Sequence, residues 1–344
     1  MNQKIKTILI LLTICLLFLV SRIWNLTSLP VFGDEAIYVR WSQIIKSVDS
    51  LRFIPQTDGK QPLYMWFTAL NLKFFEPLVA ARLISVFAGL GTVIVLFLIS
   101  NSFLPSLVYI LLPFTFFFDR LATADNLLSF FGVLSLYLSL SLAKKPRLDL
   151  AMILGLVLGL SWLTKSPAVY FIFLSVLTFA LYNQKNLNKI YLPLISAFIA
   201  FCIYNILRLG PQFGQIALRN KDYIWPLSEI LRHPLDPFIP HFKDILNIYN
   251  YYLSLPLLLS PFLYLIFKKI IKLDRHFLVY FAWWILPLLA NAAMAKVFTA
   301  RYILFVLPPF ILLLSQFLKP LFVKKYIFVL TLLFIPNLLR IYQI

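Results

Sequence analysis

Apolar runs of membrane-spanning length take up most of this 344-residue chain and decide what it can fold into. A helix that crosses a bilayer needs about 20 mostly apolar residues, with a range of about 17–25. Eleven candidate runs lie near 7–24, 80–100, 103–118, 126–143, 150–164, 168–182, 189–207, 248–267, 277–295, 302–318 and 324–341. Lipid offers the backbone no hydrogen bonds, so each run must satisfy its own, as a helix. The expected fold class is therefore an all-α polytopic membrane protein of about eleven transmembrane helices. Composition agrees: 61% of residues are hydrophobic and 13% charged, against about 45–50% and about 25% in a soluble globule. The first run, Thr7 to Val20, sits behind Lys4 and Lys6 like a leader peptide. Ser21-Arg22-Ile23-Trp24 follows it instead of a small-x-small cleavage site, so it reads as a retained helix.

The formal net charge is +18, from 31 Lys and Arg against 13 Asp and Glu. The basic residues stand at the ends of apolar runs and in the connections between them. There they anchor helices against headgroups and orient them, so membrane lipids are the expected partners and nucleic acid is not. With eleven alternating spans, five basic groups fall on one side. These are Lys4/Lys6, Lys144/Lys145/Arg147, Lys185/Lys189, Lys268/Lys269/Lys272/Arg275 and Lys319/Lys324/Lys325. The positive-inside rule makes that side cytoplasmic and the protein a multi-pass plasma-membrane protein. Eleven of the 13 acids fall on the other side, Asp149 and Asp274 excepted. The chain reads as a single membrane domain over 1–344, with long external segments at about 25–79 and 208–247 and no soluble C-terminal domain. Cys15 and Cys202 sit inside apolar runs and suggest no disulfide. His233, His241 and His276 are scattered, without zinc-ligand spacing.

Within the first external segment, Gly33-Asp34-Glu35-Ala36 places two adjacent carboxylates just after a membrane helix. Acids there are costly unless they face a wet cavity or a partner. Ile37, Trp41, Ile44, Ile45 and Val48 follow at helical spacing, predicting an amphipathic helix in the interface. Gln56-Thr57-Asp58-Gly59 predicts a turn, and Pro62 suits the first turn of a second interfacial helix. The second external segment, with Pro211, Pro226, Pro234, Pro237 and Pro240, reads as irregular and aromatic. Alternation of the spans brings Asp34, Glu35, Lys60, Arg82, Arg120, Asp125, Lys165, Lys296 and Arg301 to the external side. A cavity with carboxylates on one wall and cations on another suits an anionic lipid phosphate and an acceptor that must lose a proton.

Six pieces carry a family resemblance. They are Gly33-Asp34-Glu35-Ala36; Lys60-Gln61-Pro62-Leu63-Tyr64-Met65-Trp66; Ala81-Arg82-Leu83-Ile84-Ser85; Asp119-Arg120-Leu121-Ala122 with Asp125; Gly155 to Leu160 running into Leu163-Thr164-Lys165-Ser166-Pro167; and Arg301-Tyr302-Ile303-Leu304 with Pro308-Pro309. In this order the chain resembles the GT-C superfamily of membrane glycosyltransferases, in the branch of the protein O-mannosyltransferases and lipid A aminoarabinose transferases. The resemblance implies a GT-C bundle with interfacial helices in the first external loop. It also implies a polyprenyl-phosphate sugar as donor and inverting transfer on the extracytoplasmic face. By the same resemblance, Asp34 is the general base or acceptor-positioning carboxylate, with Glu35 beside it. Lys60, Lys165 and Arg301 are the phosphate cations, Tyr302 is a phosphate hydrogen-bond donor, and Arg82, Arg120 and Asp125 line the site. No cofactor is implied; some GT-C branches use a divalent metal, but none is expected to be obligatory here. Two positions depart from the family pattern. Members often read Lys-Pro-Pro at Lys60-Gln61-Pro62 and Thr-Lys-Gly at Thr164-Lys165-Ser166. Many members also carry a soluble C-terminal domain.

Plainer roles stand beside these. Asp34 suits a helix N-cap, Glu35 suits a structural partner for a base, Arg120 and Asp125 suit an ion pair, and Lys165 suits a snorkelling anchor. A transporter or flippase of polyprenyl-linked lipids would also use a basic site among membrane helices. It commonly shows repeats, and none is evident here.

Overall fold

The computed structural model describes residues 3–253, 257, 274–318 and 339. Helices in chain order are α1 (Gln3–Ile23), α2 (Gly33–Ser47), α3 (Leu63–Asn71), α4 (Pro77–Ser100), α5 (Leu104–Leu111), α6 (Pro113–Phe118) and α7 (Ala124–Lys144). They continue with α8 (Leu148–Thr164), α9 (Val169–Tyr182), α10 (Tyr191–Tyr204), α11 (Phe213–Tyr223), α12 (Leu227–Arg232), α13 (Phe238–Leu253), α14 (Arg275–Met294) and α15 (Leu307–Leu318). Short 3₁₀ turns join several of them, including Ile54–Asp58 and Ala300–Val306. The expected all-α fold is observed, and no strand is formed among the described residues, apart from one isolated bridge between Ile224 and Ala295. Six helices among the described residues are long and apolar enough to cross a membrane. The expected run at 324–341 and most of that at 248–267 lie outside the described residues.

Prolines set several boundaries. Pro77, Pro105 and Pro113 each occupy the first turn of a helix, where the missing N–H costs nothing. Pro113 also splits the expected 103–118 run into α5 and α6, because Leu112 before it is extended. α7 and α15 form the buried centre, and α1 lies at the periphery with Ile8, Leu12, Leu16 and Val20 exposed. Gly155 and Gly159 explain how α8 and α10 approach closely. A Cβ on either would meet Ile199 or Ile203 at about the 2.7 Å found for both. Ser196 seals the contact by donating to the Ala151 carbonyl at 2.7 Å. Small residues are the usual means of bringing helices together in lipid, where no hydrophobic drive separates tail from side chain.

Both helices expected in the first external segment form, as α2 and α3, but α2 is rotated from the expected stripe. Its buried face is Glu35, Tyr38, Ser42 and Ile45, while Ile37 and Val48 remain exposed. The reason is that Glu35 turns inward to an arginine of α4, and the packing against α3 follows it. The segment at about 208–247 is not irregular as its prolines suggest. It forms α11 and α12, and α13 begins at Phe238, well ahead of the expected run at 248. Pro226 caps α12 in extended conformation and Pro240 falls in the first turn of α13, so prolines here start helices instead of preventing them.

Candidate active site

The N-terminus of α2 divides its two carboxylates between different surroundings. Glu35 is fully buried and receives four donors. These are Phe32 N–H at 3.0 Å, Arg82 Nε at 3.0 Å, Arg82 Nη2 at 2.9 Å and Ala122 N–H at 2.5 Å. Arg82 is equally buried and spends its remaining donors on the Leu26, Leu29 and Pro30 carbonyls. This bidentate pair, saturated on both sides, ties α2 to α4, to the 24–32 turn and to the 119–123 connection. Both residues were candidates from sequence; the structure places neither against open space.

Asp34 is 21% exposed and faces cations from two distant segments. Its Oδ2 contacts Arg301 Nη1, and its Oδ1 lies 3.9 Å from Lys60 Nζ. Arg301 enters on the 3₁₀ turn Ala300–Val306 and sits over the rings of Phe32 and Tyr302, 5.4 and 5.3 Å from their centroids. Tyr302 is shared: the Lys165 ammonium lies 4.7 Å from its ring centre. Lys165 is held by Asp125 at 2.6 Å, and Asp125 Oδ2 is a buried atom without a partner among the described residues. Burial lowers the Lys165 pKa below the ordinary lysine range, with Asp125 opposing the shift. Asp34, Lys60, Asp125, Lys165, Arg301 and Tyr302 thus come together from five parts of the chain. Arg120 stands apart: it donates to the Trp24 and Asn25 carbonyls and to Ser28, and it holds the end of α1. Burial and the neighbouring Arg22 and Arg82 lower its pKa. The expected Arg120–Asp125 ion pair is not formed, since Lys165 takes Asp125.

The two departures from the family pattern meet each other. Gln61 Nε2 donates to Ser166 Oγ at 2.7 Å, joining the residue after Lys60 to the residue after Lys165. The C-terminal end of α8 explains the rest: Lys165 is extended, and Pro167 starts a new turn, so Lys165 leaves the helix axis and reaches Asp125.

Beside Arg301 opens a cavity of about 500 Å³, walled by Leu29, Val31, Phe32, Phe117, Phe118 and Leu121. Thr123 and Thr299 also line it, and both hydroxyls are buried without a partner among the described residues. Among the described residues no group of three His, Cys, Asp or Glu is placed to hold a metal ion. Asp34, Glu35 and Asp125 each already face a cation, which ill suits the hard, anionic ligand set a divalent ion needs.

Three charged residues at or near the site carry no assigned role from sequence. Arg22 and Asp119 form a second fully buried pair at 3.2 Å, with Tyr109 donating to Asp119 at 2.9 Å. Burial pushes the Asp119 pKa up to about 6. Arg219 of α11 pairs with Asp58 at 3.1 Å. An arginine inside an apolar helix was a visible signal for Arg22; nothing local marks Arg219.

Comparison with known proteins agrees with the geometry. Residues 59–207 match the family described as dolichyl-phosphate-mannose-protein mannosyltransferase. ArnT from Cupriavidus metallidurans, in a crystal structure bound to undecaprenyl phosphate, superposes with a TM-score of 0.61 at 17% identity over 96% of this chain. The chain has the GT-C fold. An Archaeoglobus fulgidus oligosaccharyltransferase, in complex with Zn and sulfate, shares this GT-C architecture with a TM-score of 0.62 at 14% identity over 96% of the chain. The chain spans 64% of the former protein and 52% of the latter. No curated protein sequence matches it. The GT-C resemblance carried by the six sequence pieces is thus confirmed at the level of fold.

Proposed function

We propose that the chain is an inverting glycosyltransferase that moves a sugar from a polyprenyl-phosphate donor to a hydroxyl or amine acceptor on the extracytoplasmic face of the plasma membrane. The observation that carries this reading is Asp34, a partly exposed carboxylate ion-paired with Arg301 where Arg301 lines an apolar cavity. The cavity's Leu, Val and Phe walls suit the first isoprene units of a lipid donor. Arg301 and the unpartnered Thr123 and Thr299 hydroxyls suit its phosphate oxygens.

In the step this implies, the acceptor oxygen or nitrogen attacks the anomeric carbon opposite the phosphate. Its proton passes to Asp34, and the carbon–oxygen bond to phosphate breaks with its electron pair leaving on the phosphate. A general base contributes about 10²–10⁴-fold to such a step. Arg301, Lys60 and Lys165 stabilise the charge that develops on the leaving group. An incoming phosphate competes with Asp34 for Arg301 and Lys60, so donor binding itself loosens the carboxylate for its proton. Glu35, saturated by Arg82 and Ala122, orients the α2 terminus and takes no proton.

The test is sugar release from a polyprenyl-phosphate sugar by purified protein in proteoliposomes, with an acceptor mixture from the native envelope. A transferase yields free polyprenyl phosphate and glycosylated acceptor. Donor movement across the bilayer without cleavage contradicts the reading and supports a lipid transporter.

A further inference from the structure

Five charges alternate in sign from the second external segment to the cavity: Arg219, Asp58, Lys60, Asp34 and Arg301. Asp58 Oδ1 meets Arg219 at 3.1 Å and its Oδ2 meets Lys60 at 2.7 Å. Lys60 is then 3.9 Å from Asp34, beyond hydrogen-bond reach. The rings of Tyr38 and Trp41 flank the ammonium at 5.5 and 5.3 Å. The lysine is therefore shared unequally between two carboxylates, and the nearer one belongs to a turn that the second external segment presses upon. Gly59 in that turn has φ 67°, and a Cβ there would meet the Arg219 side chain at 2.4 Å. Gln56 donates to the Leu207 carbonyl at 2.7 Å, which ties the same turn to the residues just before α11.

We propose that Asp58 is a positioning residue that holds the Lys60 ammonium off Asp34, and that Arg219 lets the second external segment set that hold. The inference rests on the reading of Asp34 as the base. An ammonium that closes on a carboxylate makes it a weaker base; one drawn aside leaves it stronger. Lys60 faces Asp58 from its own turn, Asp34 from α2 and Arg219 from α11, with Arg301 and Lys165 beyond Asp34. Among these, Asp58 alone pulls Lys60 away from Asp34. Arg219 acts in the opposite sense, because it occupies part of the Asp58 charge. Movement of α11, for instance when an acceptor seats against the second segment, would retune Asp34 without touching it.

The two substitutions therefore have opposite signs. In Asp58→Asn, Lys60 falls onto Asp34. The acidic limb of the kcat/KM–pH profile, which reports the enzyme before donor draws on Lys60, then moves down by roughly one unit, as an opposite charge at close range produces. Loss of base strength lowers kcat/KM by roughly three- to tenfold. Asp58→Glu restores both. In Arg219→Ala, Asp58 closes more fully on Lys60 and the acidic limb moves up. A merely structural Asp58 would lower activity in both variants and leave the limb in place. Limbs that stay at the wild-type position, or shift in the same direction in both variants, overturn the proposal. An inactive Asp34→Asn enzyme with an unshifted Asp58→Asn limb removes this inference alone. An active Asp34→Asn enzyme removes the reading on which it rests, and the inference with it.

Discussion

Asp34 and Glu35 are neighbours in sequence and opposites in structure. Successive helical positions point about 100° apart. One turns inward to Arg82 and spends both oxygens on four donors; the other stays partly exposed, paired closely with Arg301 at the cavity edge and more distantly with Lys60. On the function proposed above, the difference separates charges that hold the fold from charges that act. A structural ion pair in a membrane bundle is worth its desolvation only when every donor and acceptor is met. An acting group must keep something unmet, and the Thr123 and Thr299 hydroxyls, without a partner among the described residues, line the cavity beside Arg301.

The largest expected effect breaks the closed half. Glu35→Ala leaves the Arg82 guanidinium buried without its carboxylate, and Arg82→Ala does the reverse. Each should lose about 3–5 kcal/mol of stability, seen as a collapse of monodisperse protein on size-exclusion chromatography after mild heating. Full thermal stability in either variant would show that the pair is not structural.

The open half should break without unfolding. Arg301→Ala, Lys60→Ala and Lys165→Ala each remove a charged contact worth about 1.5–3 kcal/mol. That is about 10–100-fold in affinity for a polyprenyl phosphate, at unchanged melting temperature for Arg301→Ala and Lys60→Ala, whereas Lys165→Ala also strips the buried Asp125 of its partner and lowers it. Calorimetric titration into detergent-solubilised protein measures it, and unchanged affinity in all three variants would take the cations out of the site.

The third prediction concerns pH. Burial lowers the Lys165 pKa, so this lysine sheds its proton below the ordinary lysine value of about 10.4. The charge it offers the phosphate is present at neutral pH and lost as pH rises through the lowered value. Donor affinity should therefore fall on an alkaline limb that starts below the lysine range. Lys165→Arg, which stays charged, should flatten that limb; an identical limb in the arginine variant would assign it elsewhere.

The smallest effect concerns the bond between Gln61 and Ser166. Removing one partner from a buried hydrogen bond costs about 1 kcal/mol. Gln61→Ala should weaken donor binding a few-fold, and Ser166→Gly added to it should weaken binding little further. Fully additive losses would show that the two side chains act independently.

The sequence disclosed the bundle, helices α2 and α3 and the residues that meet around Asp34, because all of these follow from apolar length and from charges placed beside helix ends. It did not disclose which carboxylate would be closed off. Ala122 N–H and Arg82 reach Glu35 from segments far along the chain, and no local pattern encodes that meeting. Arg219 was hidden for the same reason. Its partner lies in the other external segment, and prolines made its own segment look irregular when they in fact start helices. Arg120 looked like a partner for Asp125 on spacing alone; the turn after α8 brings Lys165 closer.

The most direct test of the account compares Asp34→Asn with Glu35→Gln at saturating polyprenyl-phosphate sugar in native membranes. Asp34→Asn is expected to bind donor and keep its melting temperature but to lose about 10²–10⁴-fold in transfer. Glu35→Gln loses stability first, and any enzyme still folded transfers at near the normal rate. Near wild-type transfer by Asp34→Asn would contradict the assignment of Asp34 as the proton-accepting carboxylate.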